Sequence, residues 1–184
     1  MNKLFASTTK VRGWTEMQLR DKDGNRKLMF KENFIWSFFK KRFGLDLVIP
    51  FITGVFTFDL IKRNTITSVG KKISADQVGG TTTAPVTAIA IGVGTPSATA
   101  LGSESTTNGG SRGAATVSNQ TTSTTGDTER WVKTFTFTGA LVLIEEGLFD
   151  NNTSGGNMLA SQTFSSITTA DTDTLQITHN IKYA

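Results

Sequence analysis

Trp131-Val132-Lys133-Thr134-Phe135-Thr136-Phe137-Thr138 is the clearest period-two stretch in the chain. Trp131, Phe135 and Phe137 share one side with Lys133, and the Thr residues take the other. β-Branched and aromatic residues in strict alternation describe a half-buried strand with its aromatics inward. Gly139 interrupts the run, and Ala140 to Ile144 is apolar at every position. That composition predicts a strand buried on both faces. Glu145-Glu146-Gly147 then ends the apolar run, Leu148 and Phe149 return to the core side, and Asn151 to Gly156 is a turn cluster. A third strand begins at Met158 and runs to about Phe164.

Similar signals recur outward from this centre. Val11, Gly13, Thr15, Met17 and Leu19 alternate with Arg12, Trp14, Glu16, Gln18 and Arg20, as a half-buried strand does. Asp21 to Asn25 is a turn around Asp-Gly, and Arg26 to Trp36 is expected to return as the partner strand. Ile73 to Gly80 reads as a brief helical turn with Ser74 as its N-cap and the Gly pair as its stop. Pro85 to Val93 is a strand in which Ala88, Ala90 and Gly92 leave room for another backbone. Gly94 to Gly113 is a polar surface loop. Its Gly92-Val93-Gly94-Thr95 lacks the Gly-Lys-Ser/Thr ending of a P-loop and the third Gly of a dinucleotide-binding turn. Ala114 to Thr122 forms a strand, and Thr124 to Asp127 a turn. Thr174 to Tyr183 closes the chain, with Leu175, Ile177, His179, Ile181 and Tyr183 on one face. Strands at this spacing, divided by Gly, Asn and Asp turns, predict an all-β antiparallel β-sandwich. An N-terminal arm, a hairpin and a Phe-rich insertion accompany it.

Composition limits the chemistry. The chain has 184 residues, no Cys and one His. Disulfides, thiolate-held metals and His-cluster metals are thereby excluded. No secretory leader is expected at the N-terminus, because Lys10 and Arg12 follow too short an apolar stretch. The net charge of +4 is unevenly spread. Residues 1–72 hold 15 of the 19 Lys and Arg and 6 of the 15 Asp and Glu, a net of +9, while residues 73–184 carry a net of −5. Nine of the 13 Phe precede residue 60. The expected division is a basic, aromatic docking region over 1–72 and a sandwich body over 73–184, with 11–36 adding strands to the body. The charge split suits head-to-tail attraction between copies of the chain, or a nucleic-acid surface.

Phe38 to Ile61 has two readings: core strands with a hairpin near Thr53-Gly54, or an apolar extension that buries itself in a neighbour. A transmembrane helix is ruled out because Asp46, Pro50, Gly54 and Asp59 interrupt the run, so no membrane span is expected. Lys40-Lys41-Arg42 between Phe39 and Phe43 has the residue types for phosphate contact and stacking, but a solvated patch or a patch facing acidic protein is the commoner use, so nucleic acid is not the partner expected. The interface residues expected are Phe5, Phe38, Phe39, Lys40, Lys41, Arg42, Phe43, Phe51, Phe56 and Phe58, together with Glu145 and Glu146 at the sheet rim, where Arg130 or a partner's Lys would meet them. Glu145 and Glu146 point to opposite faces of a strand and cannot work as a catalytic pair. Glu146, Asp150, Asn151 and Asn152 have the oxygen chemistry of a Ca²⁺ site, against a turn-forming role. His179 on an apolar strand face is expected to be a hydrogen-bonded core or interface residue. No catalytic residue, metal or cofactor emerges. Trp14, on the polar face, is the best placed indole for stacking on a sugar.

Several stretches carry a family resemblance. They are Val11-Arg12-Gly13, Lys31-Glu32-Asn33-Phe34-Ile35, Ile89-Ala90-Ile91-Gly92-Val93-Gly94-Thr95, Thr134-Phe135-Thr136-Phe137-Thr138-Gly139, Glu146-Gly147-Leu148-Phe149-Asp150, Gly155-Gly156-Asn157-Met158-Leu159-Ala160 and Asp173-Thr174-Leu175-Gln176-Ile177-Thr178. Together they resemble small virion proteins and fibre-attachment domains of tailed bacteriophages, from Val11 onward. The Glu-Gly-Leu-Phe to Gly-Gly-x-Met-Leu pattern is the most specific part. The resemblance implies a non-enzymatic building block of the virion in a β-sandwich fold, which forms homo-oligomers and docks other virion proteins. Tail or neck appendage, fibre adaptor and capsid-surface decoration are the roles it suggests, with a carbohydrate-binding receptor module as the alternative from another class. The Phe-rich segment from Phe38 to Ile61 departs from the family's pattern.

Overall fold

The computed structural model describes residues 11–33, 54–81 and 84–183. The fold is mostly β, with every strand pairing antiparallel and one helix among the described residues. The strands are β1 (Val11–Arg20), β2 (Met29–Glu32), β3 (Gly54–Thr57), β4 (Leu60–Arg63), β5 (Thr65–Ile66), β6 (Ala88–Gly92), β7 (Gly113–Ala114), β8 (Thr116–Gln120), β9 (Thr128–Thr136), β10 (Val142–Phe149), β11 (Met158–Thr168) and β12 (Thr174–Tyr183). The helix α1 is Ser68–Val78. One five-stranded sheet has the order β4-β1-β12-β9-β8, a second β5-β11-β10-β6-β7, and β2 and β3 form a separate ribbon.

The inner faces of the two large sheets meet in one core. Met17, Leu19, Trp131, Phe135, Leu175, Ile177 and Ile181 come from the first sheet, and Ile89, Ile91, Leu143, Leu148, Leu159 and Phe164 from the second. The alternation of β1, β9 and β12 supplies its side of this core as their sequence predicts, and β12 has the bounds read from sequence. β1 and β12 pair along their whole length, from Val11↔Tyr183 to Arg20↔Thr174.

Four expectations change. β2 does not return along β1: it pairs with β3, and only an isolated bridge joins Arg20 to Arg26. Both edges of β1 are already occupied, by β12 and by β4. The helix begins earlier than Ser74. Thr67 is its N-cap, and its hydroxyl accepts from the Gly70 N–H at 2.7 Å. α1 also spans the boundary drawn at residue 72, so the basic segment and the body share an element. Ala114 to Thr122 is two strands, β7 in the second sheet and β8 in the first, and the chain crosses between sheets at Ala115.

The fourth change is at the centre. Val142 is half exposed, so the stretch covered on both faces is not residues 140–144. It is Glu145 to Phe149, where every residue is buried. A register shift between Leu143 and Glu145 is the cause. Leu143 faces the core before the irregularity, and Glu146 and Leu148 face it afterwards, so parity switches there. Glu145 and Phe149 then lie on the outer face beside Gly92 and Ala88. That outer face carries a small cluster of Ala88, Ala90, Phe149 and Met158, capped by Leu101 from the loop after β6. The small residues of β6 do admit another backbone, and it is this chain's own loop.

Gly70 of α1 is packed against backbone: a Cβ there would sit 1.9 Å from the Leu159 carbonyl oxygen. In a free helix Gly→Ala gains about 1 kcal/mol. Here Gly70→Ala is expected to destabilise the fold by about 1–3 kcal/mol, because neither backbone can yield. The urea midpoint of the variant against the parent checks it.

A basic cleft over a buried Glu–His network

Glu146 and His179 are fully buried and face each other across the core. Glu146 is on β10, and its two partners stand on the paired strands β1 and β12, where Thr15 is opposite His179. A carboxylate only accepts, so His179 Nδ1–H donates to Glu146 Oε2 at 3.2 Å, and the Thr15 hydroxyl donates to Oε1 at 2.9 Å. The other ring nitrogen, Nε2, meets the Asn64 carboxamide. Asn64 reaches the ring only because residue 13 is Gly: a Cβ there would lie 1.9 Å from Asn64 Oδ1. The Asn64 backbone N–H also donates to the Gly13 carbonyl at 3.1 Å. Both nitrogens of His179 are therefore occupied by internal partners. The reading of His179 as a hydrogen-bonded core residue matches this placement.

Asn64 forms part of the wall of a cleft of about 760 Å³ at the edge of the first sheet. The cleft is lined by Arg12 and Trp14 of β1, Ile61, Lys62 and Arg63 of β4, Lys71 of α1 and Lys182 of β12, among others. Five cations and no carboxylate line it. Register explains the crowding: Arg12 is opposite Lys182, and Trp14 is opposite Arg63, all on the outer side of the sheet. Lys62 points the other way. It closes the sandwich edge by donating to the Thr163 carbonyl at 3.2 Å, and burial pushes its ammonium pKa down. An inward-pointing charge on an edge strand also discourages a further strand from adding there.

The acidic half of the chain is differently spent. Of its nine carboxylates, eight have partners within the chain. Glu145 accepts from the N–H groups of Gly94, Gly102 and Ser103 and so ties down the loop after β6. Glu146 has Thr15 and His179, as above. Glu104 pairs with Arg112, whose guanidinium also lies 3.6 Å over the Phe149 ring. Asp173 pairs with Lys27 at 2.6 Å, and Asp76 with Lys72. Asp150 accepts from the backbone and side chain of Asn157, and Glu129 from Asn119. Asp127 accepts from three backbone N–H groups, at Thr122, Ser123 and Thr124, and lies 3.2 Å from Lys182. Asp171 is exposed and has no such partner. Four of the nine are paired with a Lys or Arg of the same chain, at Asp76, Glu104, Asp127 and Asp173.

Of the residues expected at interfaces, Phe5, Phe38, Phe39, Lys40, Lys41, Arg42, Phe43 and Phe51 lie outside the described residues. Phe56 and Phe58 are about half exposed, and Phe56 packs edge-on against Phe30 across the β2–β3 ribbon, with centroids 5.4 Å apart. Glu145 and Glu146 are not at a rim. The strand continues through them to Phe149, both are fully buried, and neither meets Arg130, which donates instead to Asn180. Two adjacent carboxylates suggested a strand end, and nothing in their spacing disclosed the bulge that gives each its own buried partners. The oxygen set suggested for Ca²⁺ is divided, with Glu146 in the core and Asp150 holding the β10–β11 turn. No group of three or more His, Asp and Glu is placed to hold a metal among the described residues. Sequence reading passed over Arg63 and Lys71 because only their register and the position of α1 bring them to Trp14.

Removing one partner from the buried pair leaves the other without compensation. His179→Leu is expected to cost about 3–5 kcal/mol, and Glu146→Leu on top of it to cost much less than it does alone. A double-mutant cycle by urea denaturation reads the coupling. A second expectation concerns pH. Burial raises the pKa of Asp127, but the hydrogen bonds from Thr122, Thr124 and Ser123 outweigh it and hold the carboxyl well below the usual range. A depressed carboxyl stabilises the fold above its unfolded pKa, about 4, and that contribution is lost as pH falls towards the folded value. Asp127→Asn is therefore expected to lower Tm at pH 7, with the gap from the parent narrowing below about pH 4.

Neither protein-family models, nor curated proteins, nor solved structures match this chain, so its residues and their arrangement are what bear on function.

Proposed function

We propose that this chain is a non-enzymatic structural protein of a tailed-bacteriophage virion, a tail or neck appendage or fibre-attachment component that works by assembly with copies of itself and with other virion proteins. The observation that carries the reading is an exposed apolar edge. Leu28, Val55, Phe56, Phe58 and Ile61 are each 47–54% exposed, and they make up five of the eleven exposed large hydrophobic residues among those described. Four of them, Val55, Phe56, Phe58 and Ile61, fall within seven residues on or between β3 and β4, so this part of the chain offers apolar side chains to a partner.

The family resemblance supports the same reading through its framework. Glu146 to Asp150 and Gly155 to Ala160 form the β10–β11 hairpin. Asp150 accepts from the Asn157 N–H at 2.7 Å, and Gly155 and Gly156 both take positive φ, 69° and 75°. The pattern thus specifies a turn and two strands of the body, as a shared fold signature does. It leaves docking to the edge, where this sequence has its Phe residues.

Magnitudes favour many contacts over one. Covering the exposed half of a Phe, on the order of 100 Å², gains about 2–3 kcal/mol. Two such residues barely meet the 4–15 kcal/mol cost of association. Stable docking needs the whole edge, repeated by symmetry and summed by avidity.

Light scattering on the purified protein tests this reading. The parent is expected to have the mass of a small closed oligomer, and Phe56→Ser/Phe58→Ser to fall towards the monomer with its Tm within a few degrees of the parent. A parent that stays monomeric up to high micromolar concentration, alone and mixed with its neighbours on the particle, counts against assembly through this edge.

A further inference from the structure

Trp14 and the cations around it make a site of a different chemistry beside the apolar edge. Arg12, Arg63 and Lys71 form no ion pair among the described residues. Lys62 points away into the sandwich edge and takes no part in this cluster, and Lys182 is shared with Asp127 and Ser123. Like charges crowded into a concave surface raise one another's energy, and the cheapest relief is a bound anion. A second copy of the chain is a poor source of one, because eight of its nine carboxylates after residue 72 are already engaged, as described above. Arg12 and Arg63 flank Trp14, one two residues before it on the same face of β1 and the other directly across on β4. The half-buried indole lines the same cleft as these two arginines, with its Nε1–H turned to Glu16 at 2.9 Å.

We propose that the cleft between β1, β4 and α1 binds an acidic oligosaccharide, with the Trp14 indole against a sugar ring and Arg12, Arg63 and Lys71 on its carboxylate or sulfate groups. A flat apolar ring between two forked donors fits the alternation of a sugar's C–H face and its anionic substituents. The volume, about 760 Å³, is that of a pocket for a few sugar units. Single-stranded nucleic acid is the less fitting polyanion. It uses a groove that tracks the backbone past several stacking rings, whereas Trp14 is the one aromatic side chain lining this cleft among the described residues.

Isothermal titration of the full chain tests the site. The probes are a heparin hexasaccharide, a galacturonate hexamer, neutral cellohexaose and a six-nucleotide single strand. At least one acidic saccharide is expected to bind, more weakly as salt rises, and cellohexaose to bind far less. Arg12→Ala/Arg63→Ala is expected to weaken the acidic saccharide at least tenfold, Trp14→Ala several-fold, and Lys22→Ala, at an exposed turn outside the cleft, not at all. Tm values confirm that each variant is folded. The proposal is overturned if neither acidic saccharide binds, or if binding survives the double Arg variant. It is equally overturned if Trp14→Ala leaves binding intact, which would make the cleft an unspecific anion site, or if the oligonucleotide binds more tightly through the same residues.

Discussion

A carboxylate taken out of water must be given donors, and this chain buries two in succession. The bulge between Leu143 and Glu145 decides which of the two faces which way: it turns Glu145 outward and Glu146 inward after Leu143 has already faced the core. Each then recruits a different part of the molecule. Glu146 draws Thr15 and His179 from the first sheet, so the two sheets are joined through the core by polar contacts as well as by apolar packing. Glu145 gathers three N–H groups from the loop after β6 and lays that loop over the outer face of the second sheet. The covered face in turn shelters Phe149 and Met158. Without the bulge, Glu145 would face the core with Leu143 and Glu146 the outer face, each turned away from the partners it has here.

The parts of the fold that were legible in the sequence are those set by local alternation. β1, β9 and β12 each keep one face towards a single core, so period two survives along their length. β10 is covered on both faces over half its length and changes parity in the middle, so its pattern carries no readable phase. The hairpin expected after Asp21–Asn25 was a sound inference from turn chemistry. It failed because strand pairing is settled by which edges are free, and β4 and β12 hold both edges of β1. The helix start was obscured because its first turn contains Val69 and Gly70, poor helix formers, of which Gly70 is kept small by its close approach to Leu159. The cleft was invisible for a simpler reason. Trp14, Arg63, Lys71 and Lys182 are far apart in the chain, and only register brings them together.

The charge asymmetry also changes meaning once partners are known. From sequence, a front of +9 and a back of −5 suggest two surfaces made to attract. In the fold the negative charge of the back is mostly internal: it closes turns, anchors a loop and pairs with Lys27, Lys72, Arg112 and Lys182. The positive charge of the front has no such use at Arg12, Arg63 and Lys71. A surface of one sign remains, facing solvent beside an apolar edge.

That adjacency links the two surfaces physically. Ile61 is half exposed on β4 and also lines the cleft, one residue from Lys62 and two from Arg63. A protein that covers the apolar edge at Phe56, Phe58 and Ile61 would therefore stand against one wall of the cleft. It would exclude water there and lower the local dielectric, which strengthens the hold of Arg63 on an anion already present and raises the cost of leaving Arg63 bare. Assembly and anion binding at this edge are then coupled, and any coupling is reciprocal: an anion in the cleft favours docking by the same factor by which docking favours the anion.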